Sequence, residues 1–179
     1  MLLEEREGSC QNGVNTGYFP GGKYQYEKQF VLTDADIKKN ISIHFEGVYQ
    51  NSTISLNGRD VGRHRYGYSA FDVDLTEAAL AGENRLIVSV DNSLEPNCRW
   101  YSGSGIFRPV QLLIREDPWI RDVEVKTLSI EPARINVQVT CSQKSQVRVA
   151  IYDGDRLVAE DQPGVIEVPD AKLWTAETP

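Results

Sequence analysis

The sequence predicts an all-β protein, with one β-sandwich followed by a second, smaller one. Two observations predict this class: apolar and polar residues alternate along most of the chain, and turn residues separate the alternating runs. A third is that the helix signals are too short to cover a sheet. The sheets must therefore cover each other.

Composition and charge exclude several classes of protein. The 179 residues are 40% hydrophobic and 25% charged, as in ordinary globular domains. A net charge of −7 argues against a nucleic-acid partner, and no apolar run approaches the ~20 residues of a membrane span. The acidic residues 1–7 do not resemble a secretory signal. We therefore expect a cytoplasmic protein with neither a nucleic-acid nor a membrane partner.

Cysteine and histidine are too few and too scattered for a metal site. The three cysteines, Cys10, Cys98 and Cys141, match no metal or disulfide spacing, which is typical of unpaired thiols in a reducing compartment. The two histidines, His44 and His64, poorly supply either a histidine-based metal site or a Ser-His-Asp triad. We expect neither a metal nor a cofactor.

The strand pattern divides the chain into two parts. In the first part, Asn57-Gly58 predicts a tight hairpin turn because both residues tolerate positive φ. Residues 76–80 can form a turn or two of helix. A charged, proline-containing stretch at residues 115–118 marks a boundary, which predicts domains 1–116 and 117–179. The second part has five short alternating runs, a pattern typical of a small immunoglobulin-like sandwich. The inward-facing residues predicted for the first part are Tyr24, Tyr26, Phe30, Leu32, Ile41, Ile43, Phe45, Ile54, Leu56, Phe71, Val73, Leu75, Leu86, Val88, Val90, Val110, Leu112 and Ile114.

Several short segments carry more than a strand pattern. They are GYFPGGKYQYEKQF at residues 17–30, LNGRDVG at 56–62, FDVDL at 71–75, AGENRL at 81–86 and RWYSGSGIFRPV at 99–110. In this order they resemble the N-terminal sugar-binding domain of glycoside hydrolase family 2. The closing run KLWTAETP is similar to the segment that ends the immunoglobulin-like second domain of that family.

The resemblance implies a galactose-binding-like jelly-roll β-sandwich followed by an immunoglobulin-like β-sandwich. The family includes β-galactosidases, β-glucuronidases and β-mannosidases, and residues 100–108 look most like the bacterial β-galactosidase branch. In the family a catalytic barrel follows these domains. We therefore expect that the first domain is truncated at its start and the second clipped at its end, and that the barrel lies elsewhere in a longer enzyme. That longer enzyme would act on carbohydrate and can form a homo-oligomer.

We expect no catalytic residue in this chain. A retaining glycosidase needs two carboxylates ~5 Å apart, and no acidic residue here has a recognisable catalytic context. Glu95 superficially resembles the Asn-Glu motif of the family, but Leu94 precedes it. We interpret Glu95 as a carboxylate in a proline-rigidified loop.

Two loops are candidate binding sites. The first spans residues 92–104, and its candidates for contacting substrate or the barrel are Asn97, Arg99, Trp100 and Tyr101. The planar guanidinium of Arg99 suits hydroxyls or a carboxylate, and the two aromatic rings offer faces to a sugar. Alternatively, Trp100 and Tyr101 plug the end of the sandwich. The second loop, residues 63–68, is basic and aromatic, and is either a solvated connection or a carbohydrate or interdomain contact.

The sequence thus favours the non-catalytic N-terminal region of a β-galactosidase, which supports the barrel and shapes the sugar subsite. The alternative is a stand-alone carbohydrate-binding module. A protein-binding tandem sandwich is disfavoured because such a module has no need of the run at residues 99–110.

Overall fold

A computed structural model describes residues 7–8, 13–94 and 103–177. The chain divides into two compact units, Met1–Arg115 and Glu116–Pro179, each with its own sheets. In the described ranges the only helical elements are two 3-10 turns, Gly13–Thr16 and Asp36–Lys38. None of the helices in these ranges is long and apolar enough to cross a membrane.

The first unit contains antiparallel sheets of four, three and two strands. The four-stranded sheet has the order β1-β7-β4-β5, the three-stranded sheet β6-β2-β9, and β3 pairs with β8. At the β4–β5 hairpin, Asn57 and Gly58 have φ values of 53° and 82°, which confirms the predicted turn. The strands are β1 Gly22–Leu32, β2 Asn40–Phe45, β3 Val48–Tyr49, β4 Ser52–Leu56, β5 Arg59–His64, β6 Phe71–Asp74, β7 Gly82–Asn92, β8 Gly105–Ile106 and β9 Val110–Arg115.

The core of the first unit lies between its two larger sheets. Phe45 of the three-stranded sheet and Ile54 and Leu56 of the four-stranded sheet are completely buried. The ring of Phe71 stacks on Phe45 at 4.9 Å and on His64 at 4.0 Å, which ties β2, β6 and β5 together. This arrangement confirms the predicted β-sandwich.

The inward side of β9 is only partly covered. Val110, Leu112 and Ile114 lie opposite the buried Phe45, Ile43 and Ile41, as the alternation predicts. They nevertheless keep 39%, 38% and 38% of their surface exposed. In the described structure β9 and β1 are edge strands of their sheets, and Val110 and Leu112 line a groove of about 680 Å³ between them.

At residues 76–80 the chain makes a single turn, the lower end of the one or two helical turns that the sequence predicts. The carbonyl of Leu75 accepts hydrogen bonds from the N–H groups of both Ala78 and Ala79, and no further helical turn follows. The side chain of Asn84 folds back onto this connection and is completely buried. Its amide donates to the carbonyls of Leu80 and Gly82, and its oxygen accepts from the N–H of Leu80 and the amide of Asn57.

The second unit has five strands in its described part. A three-stranded sheet has the order β10-β11-β14, and β12 pairs with β13. Val137 and Ile166 are its two buried apolar residues among those described, each 3% exposed. The immunoglobulin-like architecture of this unit stays a prediction. The strands are β10 Ile120–Ile130, β11 Ala133–Cys141, β12 Val149–Asp153, β13 Arg156–Asp161 and β14 Gly164–Glu167.

We expect Asn84→Ala to lower the free energy of unfolding by about 2–4 kcal/mol, because it leaves several polar groups of the buried connection without partners. Urea unfolding followed by circular dichroism measures the change. The matched control is Gln111→Ala, an exposed position on β9, which should stay within about 0.5 kcal/mol of the parent. Equal stabilities of the two variants would contradict a structural role for the Asn84 network.

Candidate functional site

The candidates of the first loop lie outside the described residues. Asn97, Arg99, Trp100 and Tyr101, and also Glu95, fall in residues 95–102, so their predicted roles stay predictions. The structure does describe the two stems from which this loop departs, residues 92–94 and 103–104.

A buried polar contact holds the two stems together. The amide of Asn92 donates to Ser104 Oγ at 2.9 Å, and these residues are only 2% and 6% exposed. Gln50 Nε2 donates to Asn92 Oδ1 at 3.2 Å. Buried amides and hydroxyls require such partners. The loop therefore leaves and re-enters the first unit at one place, beside β3.

The glycine after this contact is required by the backbone. Gly105 has a φ of 100°, and a Cβ on it would lie 1.8 Å from the hydroxyl oxygen of Tyr26. The Tyr26 hydroxyl in turn accepts a hydrogen bond from the N–H of Ile106 at 3.3 Å. The glycine of the GSG run thus serves the entry into β8, as its conformational freedom suggests.

An aromatic cluster lies beside these stems, and its members come from separate parts of the sequence. Tyr68 lies at the centre, with ring centroids 5.2 Å from Tyr49, 5.9 Å from Tyr66 and 6.3 Å from Phe107. All three contacts are edge-to-face, the geometry that aromatic quadrupoles favour. Tyr49 is buried, whereas Tyr66 and Tyr68 are 64% and 41% exposed. We call Tyr49, Tyr66, Tyr68 and Phe107 the tyrosine cluster.

Two glycines allow the cluster to close. A Cβ on Gly67 would lie 2.1 Å from Cδ2 of Tyr49, and a Cβ on Gly47 would lie 2.6 Å from Cζ of Phe107. Neither position can carry a side chain without displacing a ring. The backbone at both points therefore lies directly against an aromatic ring, which restricts how the cluster can move.

The basic residues near the cluster have different surroundings. His64, in the predicted basic-aromatic loop, is structural, because it stacks on Phe71 and its Nε2 lies 3.0 Å from Ser69 Oγ. Arg63 forms an exposed ion pair with Asp60 at 3.4 Å. The guanidinium carbon of Arg108 lies 5.4 Å from the ring centroid of Phe107, within the range of a cation–π contact.

Asp91, the residue directly before the first loop, is a carboxylate with a shifted pKa. The Ser93 hydroxyl and N–H donate to Asp91 Oδ1 at 2.5 and 3.0 Å, and Lys23 Nζ lies 3.1 Å from Asp91 Oδ2. These contacts hold the pKa of Asp91 below its ordinary value, and the Ser93 hydroxyl contributes most. The described residues contain no group of three or more side chains that could hold a metal.

Comparison with known proteins assigns the first unit to a family. The model of glycosyl hydrolases family 2, sugar binding domain, matches residues 14–116. A putative β-glucuronidase of Formosa agariphila is 34% identical over 97% of this chain and 18% of its own length. A β-galactosidase of Bacteroides ovatus is 39% identical over 94% of this chain and 23% of its own.

A solved structure agrees with the sequence comparisons. A glycosyl hydrolase family 2 member from Bacteroides cellulosilyticus matches with a TM-score of 0.82 and 27% identity, over 99% of this chain and 26% of its own. The class is thus the N-terminal β-sandwich of this family, whose model carries the description sugar binding domain. The chain belongs to glycosyl hydrolase family 2, which confirms the resemblance found in the sequence. It spans about a fifth of the length of the two curated relatives.

Gly67→Ala should lower the free energy of unfolding by about 1–3 kcal/mol, because the added methyl group overlaps the ring of Tyr49. Thermal unfolding followed by circular dichroism measures the change. The control is Gly103→Ala, where an added Cβ meets nothing within 4 Å. If Gly67→Ala were as stable as this control, the close contact with Tyr49 would not exist in solution.

Ser93→Ala should raise the pKa of Asp91 toward its ordinary value, because the hydroxyl is the main cause of the lowered pKa. A lowered pKa means that the contact stabilises the folded chain above the ordinary aspartate pKa of about 4. This stabilisation is lost as the pH falls through the folded-state pKa. NMR titration of the Asp91 carboxyl carbon measures the shift. Ser145→Ala, whose hydroxyl donates only to the exposed Gln143 carbonyl, is the control; equal Asp91 titrations in both variants would contradict the assignment.

Proposed function

We propose that this chain is the sugar-binding, non-catalytic N-terminal part of a longer retaining β-glycosidase, most specifically a β-galactosidase. The match of the family model to residues 14–116 carries the proposal. The 39% identical relative is a β-galactosidase, and the chain corresponds to 23% of its length. In the complete enzyme this part would support a catalytic barrel and shape its sugar subsite.

The electrostatics of the described carboxylates support a non-catalytic role. A glycosidase needs a general acid whose pKa is raised, commonly by an apolar environment. The carboxylates with a resolved shift in the described ranges have lowered pKa values instead: Glu27 beside Arg85, Asp36 beside Thr33, Asp91 beside Ser93, and Asp153 beside Lys172. All four lie at exposed contacts, where the ionised form is favoured.

The test is hydrolysis of nitrophenyl β-D-galactoside by two proteins, the 179-residue chain and the complete product of its gene. We expect the complete product to release nitrophenol and the chain to release none above the buffer rate. Nitrophenyl β-D-glucuronide is assayed in parallel, and hydrolysis of that substrate alone would contradict the galactosidase assignment. Activity of the chain that disappears on substitution of one Glu or Asp would contradict the non-catalytic role.

A stand-alone carbohydrate-binding module is the second candidate. The observation that favours it is the exposure of Tyr66 and Tyr68, since aromatic side chains are a frequent component of ligand sites. Glycan binding by the chain, together with a complete gene product that hydrolyses neither substrate, would favour this alternative.

A further inference from the structure

We propose that Lys28 keeps the open side of the first unit from pairing with a second copy of this chain. The open side is the free edge of β1 together with the groove between β1 and β9. Self-association through this side is independent of the proposed function, so the outcome of a hydrolysis assay does not bear on it. The observation behind it is one charged side chain in an otherwise apolar row.

Lys28 lies on the inward side of β1. Residues directly opposite each other in an antiparallel pair lie on the same face of the sheet. Lys28 is opposite Leu86, which is only 6% exposed. Its neighbours in the inward row, Tyr26 and Phe30, are half-buried, whereas Lys28 is exposed and lines the groove. A charged residue therefore stands where the inward face of an antiparallel sheet normally carries an apolar one.

The strand that carries Lys28 is the edge to which another strand could add most easily. β1 has 11 residues and pairs with β7 at every one of them without a bulge. The other edges of the two larger sheets in the described structure are shorter: β5 and β9 have six residues each, and β6 has four. A register shift also interrupts the pairing of β5 with β4. Short length and bulges discourage strand addition, and β1 has neither feature, which leaves an inward-pointing charge as its protection.

A second copy of the chain is the partner that matches this edge. It presents the same regular strand of 11 residues, so the two β1 strands can pair about a twofold axis with equal lengths. It also presents the same partly exposed apolar row on β9, where Val110 and Leu112 are 39% and 38% exposed. A twofold contact would cover both rows at once, and removing such apolar surface from water is favourable.

The charge of Lys28 opposes that contact. Among the described residues its ammonium has no acidic partner, since the adjacent Glu27 is already bound by Arg85 at 2.7 Å. Covering the groove would take this ammonium out of water without a counter-ion, which is costly. In the twofold contact each copy would contribute one such ammonium to the same interface, and like charges there repel each other. Lys28 therefore offsets the gain from the apolar rows.

The test is sedimentation velocity of the 179-residue chain and its Lys28→Val variant across the micromolar range. We expect Lys28→Val to dimerise at least roughly tenfold more tightly than the parent, which stays monomeric over this range. Valine suits a strand, and thermal unfolding checks that the variant is folded. Hydrogen exchange locates the contact: in Lys28→Val the amides of residues 22–32 should exchange more slowly at high than at low protein concentration, while those of β5 should not change.

The matched control is Lys23→Val, the same substitution on the same strand but on its outward side, where the Lys23 side chain is 73% exposed. It should stay monomeric, and so should Lys28→Arg, which keeps the charge. Three results would overturn the inference: a Lys28→Val variant that stays monomeric, a Lys23→Val variant that dimerises as tightly as Lys28→Val, or a parent chain that already dimerises with residues 22–32 protected from exchange.

Discussion

Mutual burial of two sheets is the constraint on which the first unit depends. The longest helical element in the described ranges has four residues, so no helix covers either sheet. Phe45, Ile54 and Leu56, contributed by both sheets, are completely buried and form the centre of the contact. Because the facing sides of the two sheets pack against each other, polar and aromatic residues with other roles lie in the connections at the ends of the strands.

The tyrosine cluster is a consequence of this arrangement. Its members come from β3, from the connection between β5 and β6, and from the residue after β8. The pairing of β3 with β8 and the hydrogen bond between Asn92 and Ser104 bring these connections to one place. Gly47 and Gly67 then permit backbone and ring to touch. The same packing that closes the sandwich therefore fixes an aromatic surface.

The sequence alone predicted the strands and turns better than it predicted which elements pack against one another. Alternation located the strands, and Asn57-Gly58 located a hairpin turn, because both signals act over a few residues. Alternation also assigned Ile114 to the correct face, but it could not show that β9 has a neighbouring strand on only one side in the part of the chain that the structure describes. Residues 76–80 looked helical by composition, but only a single turn forms, and the side chain of Asn84 binds the peptide groups of Leu80.

The site was only partly accessible to sequence reasoning. The sequence showed that residues 63–68 are aromatic, but it did not show the role of each residue. His64 stacks on Phe71, and Tyr68 contacts residues far away in the sequence. The family could be recognised because its motifs are short and contiguous.

NMR chemical-shift mapping of the 179-residue chain with an oligosaccharide tests the central claim most directly. The account predicts that the largest shifts cluster at Tyr66 and Tyr68. Shifts confined to the polar surface at Gln25, Thr53 and Ser89, or no shifts at all, would contradict it.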